Sequence, residues 1–249
     1  MTRRDHFPAW PRRKYVRVLM VLFAIQFVAL GISPVSRGTW VAENTLVVAL
    51  AVPLFLSYRH FRFSRLSYTL IFLFLALHQI GAHYTYSLVP YEALANRLGF
   101  SIDGFFGFQR NQYDRLVHFC YGLFLAYPVR EIFLRVAAVR GFWGYFLPLD
   151  LTMSTSMMYE LIEWGFAMVF GGDAGAAYLG TQGDPWDAHK DMALASLGAL
   201  IAMGITLAIN VALQRDFAKE WAESFRVKSK QPLGEEAIAE MLEESERRA

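Results

Sequence analysis

Long apolar runs separated by short polar clusters dominate the chain. Six runs, at about 15–32, 40–57, 66–88, 112–134, 142–170 and 186–213, approach or exceed the roughly 20 apolar residues that cross a bilayer core. They are continuous rather than alternating, so they predict helices and not barrel strands. The expected fold is an all-α polytopic transmembrane bundle of six spans. A basic N-terminus at 1–14 precedes the bundle at 15–213, and a charged tail at 214–249 follows it. At 1.5 Å per residue the fifth run outreaches a ~30 Å core, and Pro148 predicts a kink or an interfacial start there. No internal repeat is evident, which counts against an inverted-repeat transporter.

Composition sharpens this picture. Of 249 residues, 55% are hydrophobic and 18% charged, with mean hydropathy +0.28. Such a chain can bury ample apolar surface, which excludes disorder. The single cysteine, Cys120, excludes a disulfide scaffold, and a net charge of +2 is too small to argue for nucleic acid. The distribution of charge is more telling than its sum. Nineteen Lys and Arg fall on the N-terminus, the second and fourth connections and the tail, against five on the other side. By the positive-inside rule both termini are expected in the cytoplasm. The basic start and first run also suit a signal peptide, but no A-x-A site follows, which favours a retained span.

The connections have texture. Pro90 and Gly99 bracket a short interfacial helix at 91–98, and Phe100, Phe105, Phe106 and Phe108 follow it. A glycine-rich loop at 171–184 permits close backbone approach. Phe217, Trp221 and Phe225 recur every four residues, a stripe expected on the inner membrane surface. Trp10, Trp40, Trp143 and Trp186 fall near span boundaries and read as interfacial anchors. Ala195, Gly198, Ala199 and Ala202 give the sixth span a small-residue face suited to helix packing.

Ionisable residues inside spans are costly, about 2.5–3.5 kcal/mol each at a helix centre, and so mark sites by default. With the expected orientation, Asp114, His118, Glu160, Glu163, Asp184, Asp187 and Asp191 all fall in the periplasmic third of the membrane. His78 and His83 lie at the outer end of the third span. They stand roughly 140° apart around the helix, so one of them is expected to face the cluster, and depth favours His83. Asp150 lies nearer the cytoplasmic side. Asp114 and His118 are four apart and share a helix face, as do Glu160 and Glu163 at three apart. Asp184, Asp187 and Asp191 form one stripe.

Three readings fit this cluster. Oxygen and imidazole ligands suit a divalent metal such as Zn, Mn, Fe or Mg, with Asp114, His118, Glu160 and Asp187 as the ligand set. Crowded carboxylates also suit metal-free acid–base chemistry. Finally, ion pairs such as Asp114–Arg115 and Asp187–Lys190 can staple a bundle. His78 by itself reads as a hydrogen-bonded core histidine, and Cys120 as a small buried hydrophobe.

Three segments carry a resemblance: Tyr113-Asp114-Arg115-Leu116-Val117-His118-Phe119, Tyr159-Glu160-Leu161-Ile162-Glu163-Trp164, and the stretch from Leu179 through Gly183-Asp184-Pro185-Trp186-Asp187 to Asp191-Met192. They resemble the YjdF-like bacterial inner-membrane proteins, a family without an assigned function, across most of the first to sixth spans. The resemblance implies an inner-membrane, multi-pass protein but no reaction. A more distant similarity is to VanZ-like membrane proteins, which implies work at the outer face on envelope or lipid-linked molecules.

The best functional expectation is a metal-dependent or acid–base hydrolase or transferase acting on an amphipathic or lipid-linked envelope substrate. Asp114, His118, Glu160, Glu163, Asp187 and Asp191 are its expected catalytic residues, with His83 and Asp184 in support. The glycine-rich loop before Asp184 could lie over the site. A carboxylate or a metal-bound water would act as base. A cation- or proton-coupled carrier, with Asp150 continuing a polar path inward, and a structural accessory subunit are the alternatives. A dead-end outer pocket favours chemistry, whereas a continuous polar line favours transport.

Overall fold

The computed structural model describes residues 12–170, 172, 180–228 and 234–248. The anchor reading of Trp10 and most of the glycine-rich loop lie outside those residues. Among the described residues the chain forms ten helices and no strand. They are α1 Arg12–Gly31, α2 Arg37–Ser57, α3 Arg65–Tyr84, α4 Tyr91–Arg97, α5 Ile102–Phe106, α6 Tyr113–Arg135, α7 Trp143–Phe170, α8 Asp187–Leu213, α9 Phe217–Glu223 and α10 Glu235–Arg248. By length and composition α1, α2, α3 and α8 can each cross a membrane. The helices α6 and α7 are long enough, at 23 and 28 residues, but are not among those four. Asp114, Arg115, His118, Arg130, Glu131 and Arg135 dilute α6. The six apolar runs thus yield four spans on hydropathy and two long helices that carry much of the chemistry.

Local signals explain the boundaries. Ser36 and Ser64 accept the N–H of Thr39 (3.3 Å) and Ser67 (3.1 Å), capping α2 and α3. Thr85 turns left-handed at φ 53° to end α3, and the Tyr86 N–H returns to the Gly81 carbonyl at 2.8 Å. The helix α7 runs through Pro148, whose carbonyl accepts Thr152 Oγ1 at 2.7 Å, so it begins at Trp143 and not at the proline.

Packing organises the bundle around α6. Its far end is pinned to the start of α3, because Glu131 accepts the Ser64 N–H (2.9 Å) and Ser67 Oγ (2.6 Å). Arg135 spans Glu131 and the Arg62 carbonyl (2.6 Å) at the same place. The tightest pairing is α6 with α8. A Cβ on Gly122 would strike the Ala195 carbonyl, and one on Gly198 would strike the Phe119 carbonyl. Ala126, Ala195 and Ala199 are fully buried beside them, so the small-residue face does bring two backbones together.

This closeness reverses a normal rule. Gly→Ala in a helix interior usually gains up to ~1 kcal/mol. Gly198→Ala is expected to lose ~1–3 kcal/mol, the usual cost of overpacking. Gly204→Ala on the same helix meets nothing within 4 Å and is expected to be neutral or favourable. Unfolding of both variants in detergent measures the contrast.

The aromatic stripe docks on protein instead of lying flat on a membrane surface. Phe217 and Trp221 pack against the cluster of Ala126, Tyr145, Ala199 and Met203. Glu220 accepts the Gly141 N–H at 3.0 Å, and the Trp143 indole donates to the Ser224 carbonyl at 2.9 Å. The expected helix after Pro90 forms as α4. Glu92 ties it to α5 by accepting the N–H groups of Ile102 and Asp103, both at 3.0 Å.

Candidate functional site

The polar side chains collect at the end of the bundle where α6 and α8 begin. The start of α6 supplies Asp114 and His118, one turn apart. A turn into α8 lies Asp191, and α7 contributes Glu160 from its second half. Since α6 and α8 meet through glycine and alanine, their starts are close enough for side chains to share one space.

These residues form two layers. In the outer layer Arg110 Nη1 contacts Asp187 Oδ1 at 2.6 Å, and Arg115 Nη2 contacts Asp184 Oδ2 at 2.5 Å and Asp187 Oδ1 at 3.3 Å. Lys190 Nζ adds a contact to Asp184 Oδ2 at 2.6 Å, and Arg110 also donates to the Thr181 carbonyl at 2.8 Å. Three cations meet two carboxylates here, and the geometry is that of a staple.

The inner layer is different. His118 Nε2 stands 3.6 Å from Asp114 Oδ1 and 3.5 Å from Glu160 Oε1, too far for good hydrogen bonds. One ligand atom each from Asp114, His118 and Asp191 lies within 4.8 Å of the others. His118, Glu160 and Asp191 are buried, and Glu160 Oε1 and Asp191 Oδ1 have no hydrogen-bond partner among the described residues. Such groups are costly to leave unsatisfied. Two ligands of a tetrahedral ion with bonds of ~2.0–2.2 Å stand ~3.3–3.6 Å apart. The spacing around His118 matches that range, and an imidazole with three carboxylates is a donor set that suits a divalent cation.

Of the residues in the expected ligand set, Asp187 is engaged by Arg110 and Arg115, whereas Asp191 stands beside Asp114 and His118. Asp184 belongs with the staple. Glu163 lies one turn beyond Tyr159 on α7, half-buried. His83 does not support the cluster, because its Nδ1 pairs with the Leu30 carbonyl at 2.7 Å, at the end of α1. His78 is the histidine that faces inward, contacting Tyr86 Oη at 2.6 Å and the Glu43 carbonyl at 3.3 Å. His189 stacks edge-on against Trp186.

Glu43 and Arg110 are the members that sequence reading passed over. Glu43 is only 1% exposed, and its Oε2 accepts Tyr159 Oη at 3.2 Å. Beside it Gln79 donates to Asn44 Oδ1 at 2.6 Å. The available signal was an acidic residue within an otherwise apolar second run. For Arg110 it was the scarcity of cations on that side against so many carboxylates.

Below the inner layer lies a cavity of about 420 Å³ between α2, α3, α6 and α7. Asp114, His118 and Tyr159 line it with His78 and Tyr86, and the remaining walls are largely apolar, including Val47, Leu75, Leu125, Val129 and Leu151. From Asp114 to Val129 the wall follows α6 for about 22 Å. The helices α2 and α7 meet through the Glu43–Tyr159 hydrogen bond but do not pack along their lengths. Asp150 is exposed and does not line the cavity.

Acid tests the staple. The hydrogen bond from Lys190, then those from the Trp186 N–H and Arg115, hold the Asp184 carboxyl down to about 2 from an ordinary 3.8. A carboxyl depressed by folding stabilises the fold above its unfolded value, and that contribution disappears as pH falls toward the folded one. The Tm advantage of wild type over Lys190→Met is therefore expected to hold from pH 8 to 5 and shrink between about pH 4 and 2. Melting curves along that series check it, and a pH-independent difference would contradict it.

Apolar helices, a two-layered polar end and a lipid-length cavity define a polytopic α-helical membrane protein. The chain belongs to the family of predicted membrane proteins known as DUF2238, whose profile matches residues 15–211. It is 42% identical over 171 residues to the inner membrane protein YjdF of Escherichia coli strain K12, covering 68% of this chain and 78% of that protein. The YjdF-like resemblance is thereby borne out, with a multi-pass inner-membrane location, whereas the VanZ-like similarity is not shown. No solved structure matches the chain.

Proposed function

We propose that the chain is a six-span inner-membrane protein, both termini cytoplasmic, that acts at its outer end on an amphipathic, lipid-linked substrate. The cleavable head sits among Asp114, His118, Glu160 and Asp191, and the apolar part lies in the cavity below. The observation that carries this reading is the shape of that cavity, apolar along its walls and ending at Asp114 and His118. Its volume is ordinary for a ligand pocket, and its length along α6 covers about three quarters of a ~30 Å core. Charge asymmetry along the chain supports the orientation.

Asp114, His118 and Asp191 would hold a divalent cation, which when bound would supply Lewis acidity and an activated water. Glu160 accepts the proton of the attacking water at Oε1 and returns it to the leaving oxygen, while the water oxygen bonds the electrophilic centre and the ester-type bond breaks. In a transferase an acceptor hydroxyl replaces the water. Arg110, Arg115, Asp184 and Asp187 keep the helix starts in register. A carrier needs polar groups continuing toward Asp150, and the apolar lower walls speak against that path.

A photoactivatable alkyl-chain lipid tests the cavity. It is expected to label Leu125, Val129 or Leu151 in the wild type, and Leu125→Trp, which fills the space, is expected to abolish that labelling while the protein stays folded. Labelling confined to the outer helix faces, unchanged by Leu125→Trp, would overturn the reading.

A further inference from the structure

A second cavity, of about 780 Å³, lies between α1 and α2 on a floor made by α3. The first two helices touch where α1 ends and α2 begins. Phe27 and Trp40 rings stand 5.4 Å apart there, and a Cβ on Gly31 would sit 3.2 Å from the Trp40 ring. Away from that contact they do not pack along their lengths. They form a wedge, closed at Trp40 and open at the other end.

The open end is basic. Arg13 and Arg17 from α1 line it with Arg59 and Arg62 from the turn after α2. None of the four forms an ion pair among the described residues, and Arg62 lies over the Tyr58 ring at 5.6 Å. Glu131, a carboxylate at this end of the bundle, is already taken by Ser64, Ser67 and Arg135. Below the arginines the walls are apolar, with Met20, Phe23, Leu54, Ile71 and Phe72 among them.

We propose that this wedge is a binding site for one anionic phospholipid, with its phosphate among Arg13, Arg17, Arg59 and Arg62 and its acyl chains between α1 and α2. The charge is complementary, because arginine forks pair with phosphate, and basic pockets between helices are suited to acidic headgroups. The apolar walls explain why a lipid fits better than a soluble anion. The site stands at the opposite end of the bundle from Asp114, since Glu131 and Asp114 occupy the two ends of α6.

The full-length chain in detergent, titrated with phosphatidylglycerol, phosphatidylcholine or inorganic phosphate and read by native mass spectrometry, tests this. Phosphatidylglycerol is expected to bind about tenfold or more tightly than phosphatidylcholine, since each nearby arginine strengthens attraction to an acidic headgroup. The Arg17→Gln/Arg59→Gln variant is expected to lose that preference. Ala51→Phe, which fills the wedge and keeps every arginine, is expected to lose bound phosphatidylglycerol and decides the matter if the charge variant does not fold. Equal binding of the two lipids would overturn the proposal. So would a preference that survives both changes, or inorganic phosphate binding as tightly as the lipid.

Discussion

Arg110→Ala is expected to destabilise the protein by about 3–5 kcal/mol, the usual cost of leaving one partner of a buried ion pair alone. Asp187 is 3% exposed, and its Oδ1 lies 2.6 Å from Arg110. Arg115 also reaches that oxygen, but at 3.3 Å and while serving Asp184 at 2.5 Å. It therefore replaces only part of the lost interaction. The deficit belongs to the orphaned charge, so Arg110→Ala/Asp187→Asn is expected to recover much of it. Denaturant unfolding in mixed micelles measures both variants. If Arg110→Ala matches wild type, the outer layer is not a staple.

Asp191→Ala is expected to weaken divalent-cation binding by more than 100-fold, with Asp187→Asn changing it less than tenfold. Altering groups that only support metal ligands costs about 10–100-fold, and removing a ligand is more severe. Asp191 offers a buried carboxylate oxygen with no protein partner, beside Asp114 and His118. Asp187 is held by two arginines and turned to the outer layer. Competition against a chelating dye, on variants that melt cooperatively, reads the two constants. Equal losses in both would restore the ligand set expected from sequence alone.

The comparison of these two aspartates shows what the chain reveals unaided. Apolar run length exposed the helices, because each had to satisfy its own backbone. The 3-then-4 rhythm put Asp184, Asp187 and Asp191 on one stripe, yet a stripe says nothing of what faces it. Whether an aspartate meets an arginine or an imidazole depends on how α6 and α8 cross, and Gly122 and Gly198 set that crossing through backbone contact. His83 illustrates the same limit. Its depth suited the cluster, but the end of α1 lies against it and the Leu30 carbonyl takes its ring. Glu43 escaped notice because a lone acid in an apolar run carries no spacing signal. Tertiary packing alone aims it at Tyr159. The stripe of Phe217, Trp221 and Phe225 was visible as a helix face. The surface it covers, Phe142 and Tyr145, was not.

Metal content of the purified full-length chain, measured by mass spectrometry after growth with supplemented Zn, Mn, Fe and Mg and without chelator, tests the inner layer most directly. The account expects close to one divalent ion per chain in wild type, falling to background in folded Asp114→Ala and Asp191→Ala. No ion in wild type, or an ion that persists in both variants, would contradict it.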